Sequence, residues 1–503
     1  MTRAWIACAV LLLFLAALAW TRWAPPVVNI ADVGVTELYV DLASHARLLD
    51  GPYSRFRWHH PGPLYFYLQA PLYAAAGQSG AALFAGAWAL NIAAFGVLLS
   101  ILAGERRAGL TVGVGTTMLV FAWRVPDILA SPWTAHVPIL PFLTLAAAAA
   151  AIAAGRTRLL PTAVFIASFV VQTDLALAPA VAVMFVLLTP AIVRAVRSPA
   201  TSYGHMILAG VIALVAWLPP IVEMSRNGGG NVAALWTFFG REAAGHSASD
   251  AFAAWSFSVT GIVRDHLELA RGGALDLSGA RWAPAAAIAV TLLTLATTVY
   301  SMRRGRSFEA WLGIMVTAAS LTTLWSITRI VEPITDYQVL PATALGAMAL
   351  GIVLSFVPAL RADENRRRQG AARLAAIVMC AAVVILASVH VRRAVALQQR
   401  LPWAADVVPA VARIEAYLDE RRSRAAVVDV DRVWSQTVPI VLRLRQHHRR
   451  ISVTRDNLFM FTEAFAPTGR EDTRLTIQPG RIPVPPGSVA IFDSWTISVF
   501  ARD

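Results

Sequence analysis

Between residues 21 and 81 the chain gathers side chains able to move a proton and to hold an anion: Asp32, Glu37, Arg55, Arg57, His59 and His60. A carboxylate within hydrogen-bond reach of a hydroxyl can take its proton as a general base. The planar guanidinium of Arg offers two parallel hydrogen bonds to a carboxylate or phosphate. Plainer readings stand beside these. Asp32 occupies a place where a helix N-cap is expected, and Glu37 fits a solvated helix face. Arg55 suits a lipid-headgroup anchor, and His60 suits a packing position.

The elements that must position these residues are legible nearby. Val35, Leu38, Leu42, Ala46 and Leu49 recur at helical spacing, with Glu37, Asp41 and His45 forming the opposite stripe. That pattern predicts an amphipathic helix over 35–49 lying along a membrane surface. Gly51-Pro52 ends it, the segment SRFRWHH (Ser54 to His60) crosses over, and Pro61-Gly62-Pro63 punctuates the chain before a second, aromatic-rich helix over 64–76.

The surroundings are a membrane. Of 503 residues 57% are hydrophobic and only 15% charged, against about 25% charged in soluble domains. Mean hydropathy is +0.59. Several apolar runs approach or exceed the ~18 residues needed to span a bilayer. A soluble enzyme, a nucleic-acid-binding protein and a disordered chain are excluded. Eleven spans are predicted, near 4–20, 82–103, 109–124, 135–154, 159–172, 175–193, 207–222, 283–302, 309–326, 337–358 and 373–390. The first is read as a true span anchored by Trp20, Arg22 and Trp23, not as a cleaved signal. Alternate loops carry the arginines: Arg106 and Arg107; Arg156 and Arg158; Arg194 and Arg197; Arg303, Arg304 and Arg306; Arg366 to Arg368. Arginine-rich loops face the cytoplasm, so the N-terminus is expected inside and residues 21–81, 223–282 and 391–503 outside. Cys8 and Cys380 lie in apolar runs and predict no structural disulfide.

On this reading residues 1–390 form a transmembrane domain, with the long loops 21–81 and 223–282 within it. Residues 391–503 form a small α/β domain, with strands expected at 425–430, 451–454 and 489–492 and a helix at 408–418. The loop 223–282, with Gly228 to Gly230, His246, Asp265 and His266, reads as a surface linker or a mobile cover. Two motifs are set aside. AAVVDVD (Ala425 to Asp431) looks like a DxD nucleotide-sugar site but falls on the outer side, and His447-His448 reads as a solvated basic patch. No phosphate-cradling GxxxxGK motif is present.

Asp32 and Glu37 in a D-x4-E arrangement, followed by GPYSRF-x-W-x-HPGP (Gly51 to Pro63), resemble bacterial members of the GT-C superfamily of membrane glycosyltransferases. That superfamily includes the protein O-mannosyltransferases and the lipid A aminoarabinose transferases. This chain has Asp32-Val33 where better-known members often carry Asp-Glu, and Thr134-Ala135 where relatives frequently show Asn-Pro. The resemblance implies a polytopic helical fold with two juxtamembrane helices in the first outer loop. It also implies a sugar donor linked to polyprenyl phosphate, bound at the outer face of the bacterial inner membrane. Asp32 matches the superfamily's first-loop acid and is thereby assigned as general base. Glu37 orients it, binds a sugar hydroxyl or holds a possible divalent cation. Arg55 is first choice for the donor phosphate, with Arg124 and Arg329 behind it, and His60 is a further donor ligand. Asp127 falls where members place a second acid. Asp174, near the outer end of a span, is a candidate because ionisable groups at such depth are expensive to bury.

The resulting expectation is an inverting glycosyltransferase acting on an envelope glycan, lipid or protein, in contact with membrane lipids and not with nucleic acid. The alternative is a lipid-linked-glycan transporter or a non-catalytic envelope-assembly protein. A transporter would place its polar groups in mid-membrane cavities, whereas here they cluster in loops on one face.

Overall fold

The computed structural model describes residues 3–105, 107–197, 203–226, 229–241, 245–263, 273–277, 280–356, 367–430 and 432–502. Each expected apolar run lies on a helix. Seven helical stretches among the described residues are long and apolar enough to cross a membrane: Ala81–Gly104, Leu175–Arg197, Gly204–Arg226, Ala283–Arg303, Ser307–Ile327, Asp336–Leu354 and Gly370–Gln399. Three of the remaining expected spans are shorter apolar helices, Cys8–Trp23, Ile139–Ala153 and Thr157–Thr173. The other is the 17-residue helix Ala108–Arg124.

The chain divides into two compact units. The larger comprises Ala87–Gly228 and Leu235–Val391. Its centre is the helix Ile139–Ala153, in which every residue is buried. The alanine run Ala146–Ala151 lets neighbouring backbones approach closely, as small residues do in membrane bundles. At one end, Arg107 pairs with Glu309 at 2.6 Å and Arg156 pairs with Glu105. Part of the expected loop 223–282 is not a surface linker. Ala248–Val259 is a helix whose Trp255 is buried in a cluster with Ala251, Ala254, Ala287, Ile327 and Val339. The Trp255 indole N–H donates to the Ser320 carbonyl at 3.0 Å, so the helix is tied down by both packing and a satisfied polar group.

The smaller unit comprises Met1–Gly86, Gly229–Ala234 and Arg392–Asp503. It contains α1 (Arg3–Trp23), α2 (Ala31–Ser44) and α3 (Leu64–Ala75). Its C-terminal part is a five-stranded sheet of β1 (Ala426–Val430), β2 (Ile451–Val453), β3 (Thr473–Pro479), β4 (Val489–Asp493) and β5 (Ile497–Arg502), in the order β2-β1-β3-β5-β4. β1 runs parallel to β2 and β3, with Val428 opposite Val453 and Leu475; β5 is antiparallel to β3 and β4. The helices Val407–Glu420 and Trp434–Gln446 belong with this sheet. His447 and His448 are exposed, as expected of a solvated basic patch. Arg449 forms a two-pronged pair with Asp419 at 2.7 and 2.8 Å, and His447 Nδ1 lies 2.9 Å from Glu415 Oε1. Asp429 of the AAVVDVD strand is paired with Arg474 at 2.5 Å, and Asp431 lies outside the described residues.

α2 departs from expectation in register and in surroundings. It begins four residues before Val35 and ends at Ser44. It is buried all round from Gly34 to Ala43, including Glu37 and Asp41. Glu37 and Asp41 therefore lie on an internal face rather than a solvated one, because α3 and the helix Trp434–Gln446 bring Tyr73, Arg445 and Gln446 against them, whereas His45, just past the helix end, is exposed.

Candidate active site

The chain reaches α2 through Ile30 in extended conformation, and Ile30 is the N-cap without a side-chain hydrogen bond. Ala31 then adopts φ +53°. That left-handed position costs a non-glycine residue about 1–3 kcal/mol. The next residue, Asp32, stands in the first helical turn, half-buried. Its carboxylate does not cap the helix. Instead Oδ1 accepts a 2.6 Å hydrogen bond from the Tyr53 hydroxyl.

The long first-loop motif has a physical reason at each end. A Cβ at Gly51 would lie 2.2 Å from the His60 carbonyl oxygen and 2.8 Å from Gly62 N and O, so only glycine lets the returning chain cross there. His60 N donates to the Pro52 carbonyl at 2.8 Å, Ser54 N to the Trp58 carbonyl at 2.8 Å, and Tyr53 bridges His59 in antiparallel fashion. Arg57 turns the tip at φ +66°. The crossover is thus a tight loop, pinned from outside by Asn231. That side chain accepts from His59 N and donates to His59 O, both at 2.6 Å.

The net electrostatic effect at Asp32 is a raised proton affinity. Burial pushes its carboxyl above the usual carboxylate range, while the Tyr53 hydrogen bond and the Arg55 charge pull it back down. Arg55 is exposed, its guanidinium 5.6 Å from the Phe56 ring centroid. A carboxylate and an exposed Arg in one loop are groups able to accept a proton and to steady a phosphate.

Glu37 is held differently. Its Oε2 accepts from Asn29 Nδ2 at 2.7 Å and its Oε1 from the Tyr73 hydroxyl at 3.1 Å; Gln446 Nε2 in turn donates to the Tyr73 oxygen at 2.9 Å. Burial dominates and pushes the Glu37 carboxyl up to about 7. One turn on, Asp41 is buried and lies 3.6 Å from Arg445 Nε. The carboxylates of α2 are thereby tied to the C-terminal helix Trp434–Gln446.

Asp32, Glu37, Arg55 and His60 all belong to the smaller unit. His60 stands with its ring edge-on to Trp58, centroids 5.2 Å apart. Desolvation, helped by neighbouring His59, lowers its imidazole to about 3, which favours the neutral ring over the cation. Arg124, Asp127, Asp174 and Arg329 belong to the larger unit. Arg124 Nη1 donates to the Ile262 carbonyl at 2.8 Å. Asp127 opens the short helix Asp127–Ala130. Asp174 caps a 3-10 turn by accepting from Ala176 N at 3.0 Å, and Arg329 is exposed. Asp265, His266, Arg106, Arg366 and Gly228 lie outside the described residues. Among the described residues no group of three or more His, Cys, Asp and Glu side chains is placed to hold a metal ion. Tyr53, Asn29, Tyr73, Asn231, Trp434 and Phe459 are functional-site neighbours that the structure adds to the candidates expected from the sequence. Tyr53 sits inside the long motif; the others carry no local signal.

No protein-family model matches the chain, and no curated protein does. Among solved structures the chain is similar to ArnT from Cupriavidus metallidurans bound to undecaprenyl phosphate, at 14% identity and a TM-score of 0.52, covering 100% of this chain and 98% of that one. The apo state of the same protein matches at 11% identity and a TM-score of 0.48, over 99% of this chain and 97% of that one. The liganded likeness shows the fold, an ArnT-like membrane architecture.

Proposed function

We propose that the chain is a multi-pass inner-membrane glycosyltransferase that uses a sugar linked to polyprenyl phosphate and modifies a cell-envelope acceptor at the outer face. The observation that carries this reading is the full-length fold likeness to a protein crystallised with undecaprenyl phosphate. The first loop supplies chemistry that suits it. Asp32 takes the proton of the acceptor hydroxyl as that oxygen bonds to the anomeric carbon. The bond from that carbon to the phosphate oxygen breaks from the opposite face, which inverts the centre. Arg55 steadies the charge that gathers on the departing phosphate, and His60 contributes a neutral hydrogen bond. Glu37, already committed to Asn29 and Tyr73, holds α2 in place. Arginine asymmetry between alternate loops supports a cytoplasmic N-terminus, with both the first loop and residues 391–503 outside.

The test is a donor screen with the purified full chain in lipid nanodiscs, radiolabelled polyprenyl-phosphate sugars and envelope extract as acceptor. Label should transfer with at least one donor. Asp32→Asn should abolish transfer while binding of undecaprenyl phosphate survives, because the amide keeps the shape and cannot accept the proton. Near-normal turnover by Asp32→Asn would remove Asp32 as base. Saturable carrier binding without transfer from any donor would favour a lipid-carrier-binding or transport role.

A further inference from the structure

The residue that grips Asp32 is itself gripped by the C-terminal part of the chain. The Tyr53 ring meets Trp434 edge-on, with centroids 6.3 Å apart and planes at 67°, and packs against Phe459 at 6.3 Å and 56°. Phe459 also receives the Arg57 guanidinium, 5.7 Å from its centroid, at the left-handed tip of the crossover. Trp434 is the first residue of the helix Trp434–Gln446. The far end of that helix is fixed to the first loop by Arg445 on Asp41 and by Gln446 on Tyr73. One C-terminal helix thus touches the first loop at both its ends. An aromatic contact of this kind contributes orientation as well as burial, and the 2.6 Å bond from Tyr53 to Asp32 transmits that orientation to the carboxylate.

We propose that Tyr53 is a positioning residue for Asp32, and that Trp434 and Phe459 form the seat that holds it, so the C-terminal domain completes the reaction site. The role in catalysis rests on the reading of Asp32 as base; the coupling between the residues does not. A hydrogen bond donated to the ionised carboxylate favours that form. Among the described residues, Tyr53 and the Arg55 charge pull Asp32 toward ionisation against burial. Removing the hydroxyl, or loosening its seat, should therefore raise the affinity of Asp32 for its proton.

The decisive measurement is the titration of Asp32 in the full chain in nanodiscs, followed by the carboxyl resonance of 13C-labelled aspartate and assigned by its loss in Asp32→Asn. Tyr53→Phe keeps the ring and its packing and should raise the Asp32 midpoint by about one pH unit, tenfold in the dissociation constant. Trp434→Ala and Phe459→Ala keep the hydroxyl and should give smaller rises of the same sign; Trp434→Phe serves if the alanine variant fails to fold. An unchanged midpoint in Tyr53→Phe overturns the positioning role. Unchanged midpoints in every Trp434 and Phe459 variant overturn the share of the C-terminal domain. With a working donor, the acid limb of the turnover profile should move upward with the Asp32 midpoint while the donor Michaelis constant stays put. A shifted midpoint beside an unmoved acid limb sinks Asp32 as the base and leaves the structural coupling standing.

Discussion

Replacing Glu37 by Gln should change how stability depends on pH, in a direction fixed by burial. The carboxyl is 5% exposed, and its protonation midpoint is moved from 4.5 to about 7. Desolvation is the largest cause. The Asn29 bond, the Arg443 charge and the Tyr73 bond oppose it, and Asp41 adds to it. Between those two pH values the folded chain keeps a proton that the unfolded chain has released. Stability from this group is therefore fully present below about pH 4.5 and is lost as pH rises through about 7. At 1.36 kcal/mol per unit, the loss across that window is about 3 kcal/mol. For a chain of this length that is about 3 °C in melting temperature. The amide in Glu37→Gln does not titrate and keeps its geometry. Its oxygen can accept from Asn29, and its N–H can donate to Tyr73 once that hydroxyl turns. The assay is the melting temperature of wild type and variant in one detergent across pH 5 to 8.5. The wild type should lose ground to Glu37→Gln as pH rises. A difference that stays flat, or grows in favour of the wild type, refutes the view of Glu37 as a buried carboxyl with raised proton affinity.

Arg55→Lys should raise the donor Michaelis constant roughly tenfold, the worth of one charge-assisted hydrogen bond, because a point charge cannot form the two-pronged contact. Unchanged kinetics would dismiss the two-pronged contact. Asn231→Ala should free the crossover, since it strips two 2.6 Å bonds from the His59 backbone. A loss of about 2 kcal/mol is expected, read as faster proteolytic nicking within 54–60; nicking at the wild-type rate would show that the clamp is dispensable.

Much of the helical layout was legible because apolar run length is a direct readout of burial in lipid. Strands β1, β2 and β4 also fell within a residue or two of their expected limits. β5 did not announce itself. Ile497–Ala501 is buried at every position, so the strand has no alternation to betray it. β3 does alternate, but of its inward residues Thr473, Leu475 and Ile477 only two are apolar, too few to mark a strand. For α2 the period was right and the meaning of its polar stripe was not. Periodicity assigns polar residues to solvent, whereas Glu37 and Asp41 point at Asn29, Tyr73 and the Arg445-Gln446 end of a helix far along the chain.

The candidate site divides along the same line. Residues that could do chemistry declare themselves by type, as Asp32 and Arg55 do inside a dense motif. Residues that set how well they do it are an ordinary Tyr, Trp, Phe and Asn, separated by 172 residues for His59 and Asn231 and by 373 for Tyr73 and Gln446. A carboxylate in the first turn of a helix, left in water, would be stabilised as an anion by the helix dipole and would make a weak base. Burial raises its proton affinity, while Tyr53 and Arg55 keep the ionised form within reach. A general base works best when its proton affinity lies near the operating pH. At Asp32 that balance depends on a desolvating wall and an oriented hydroxyl, and the hydroxyl's orientation is set by Trp434 and Phe459. On the proposed reading of Asp32 as base, its strength is a property of the folded contact between the first loop and the C-terminal domain, through Tyr53, Trp434 and Phe459.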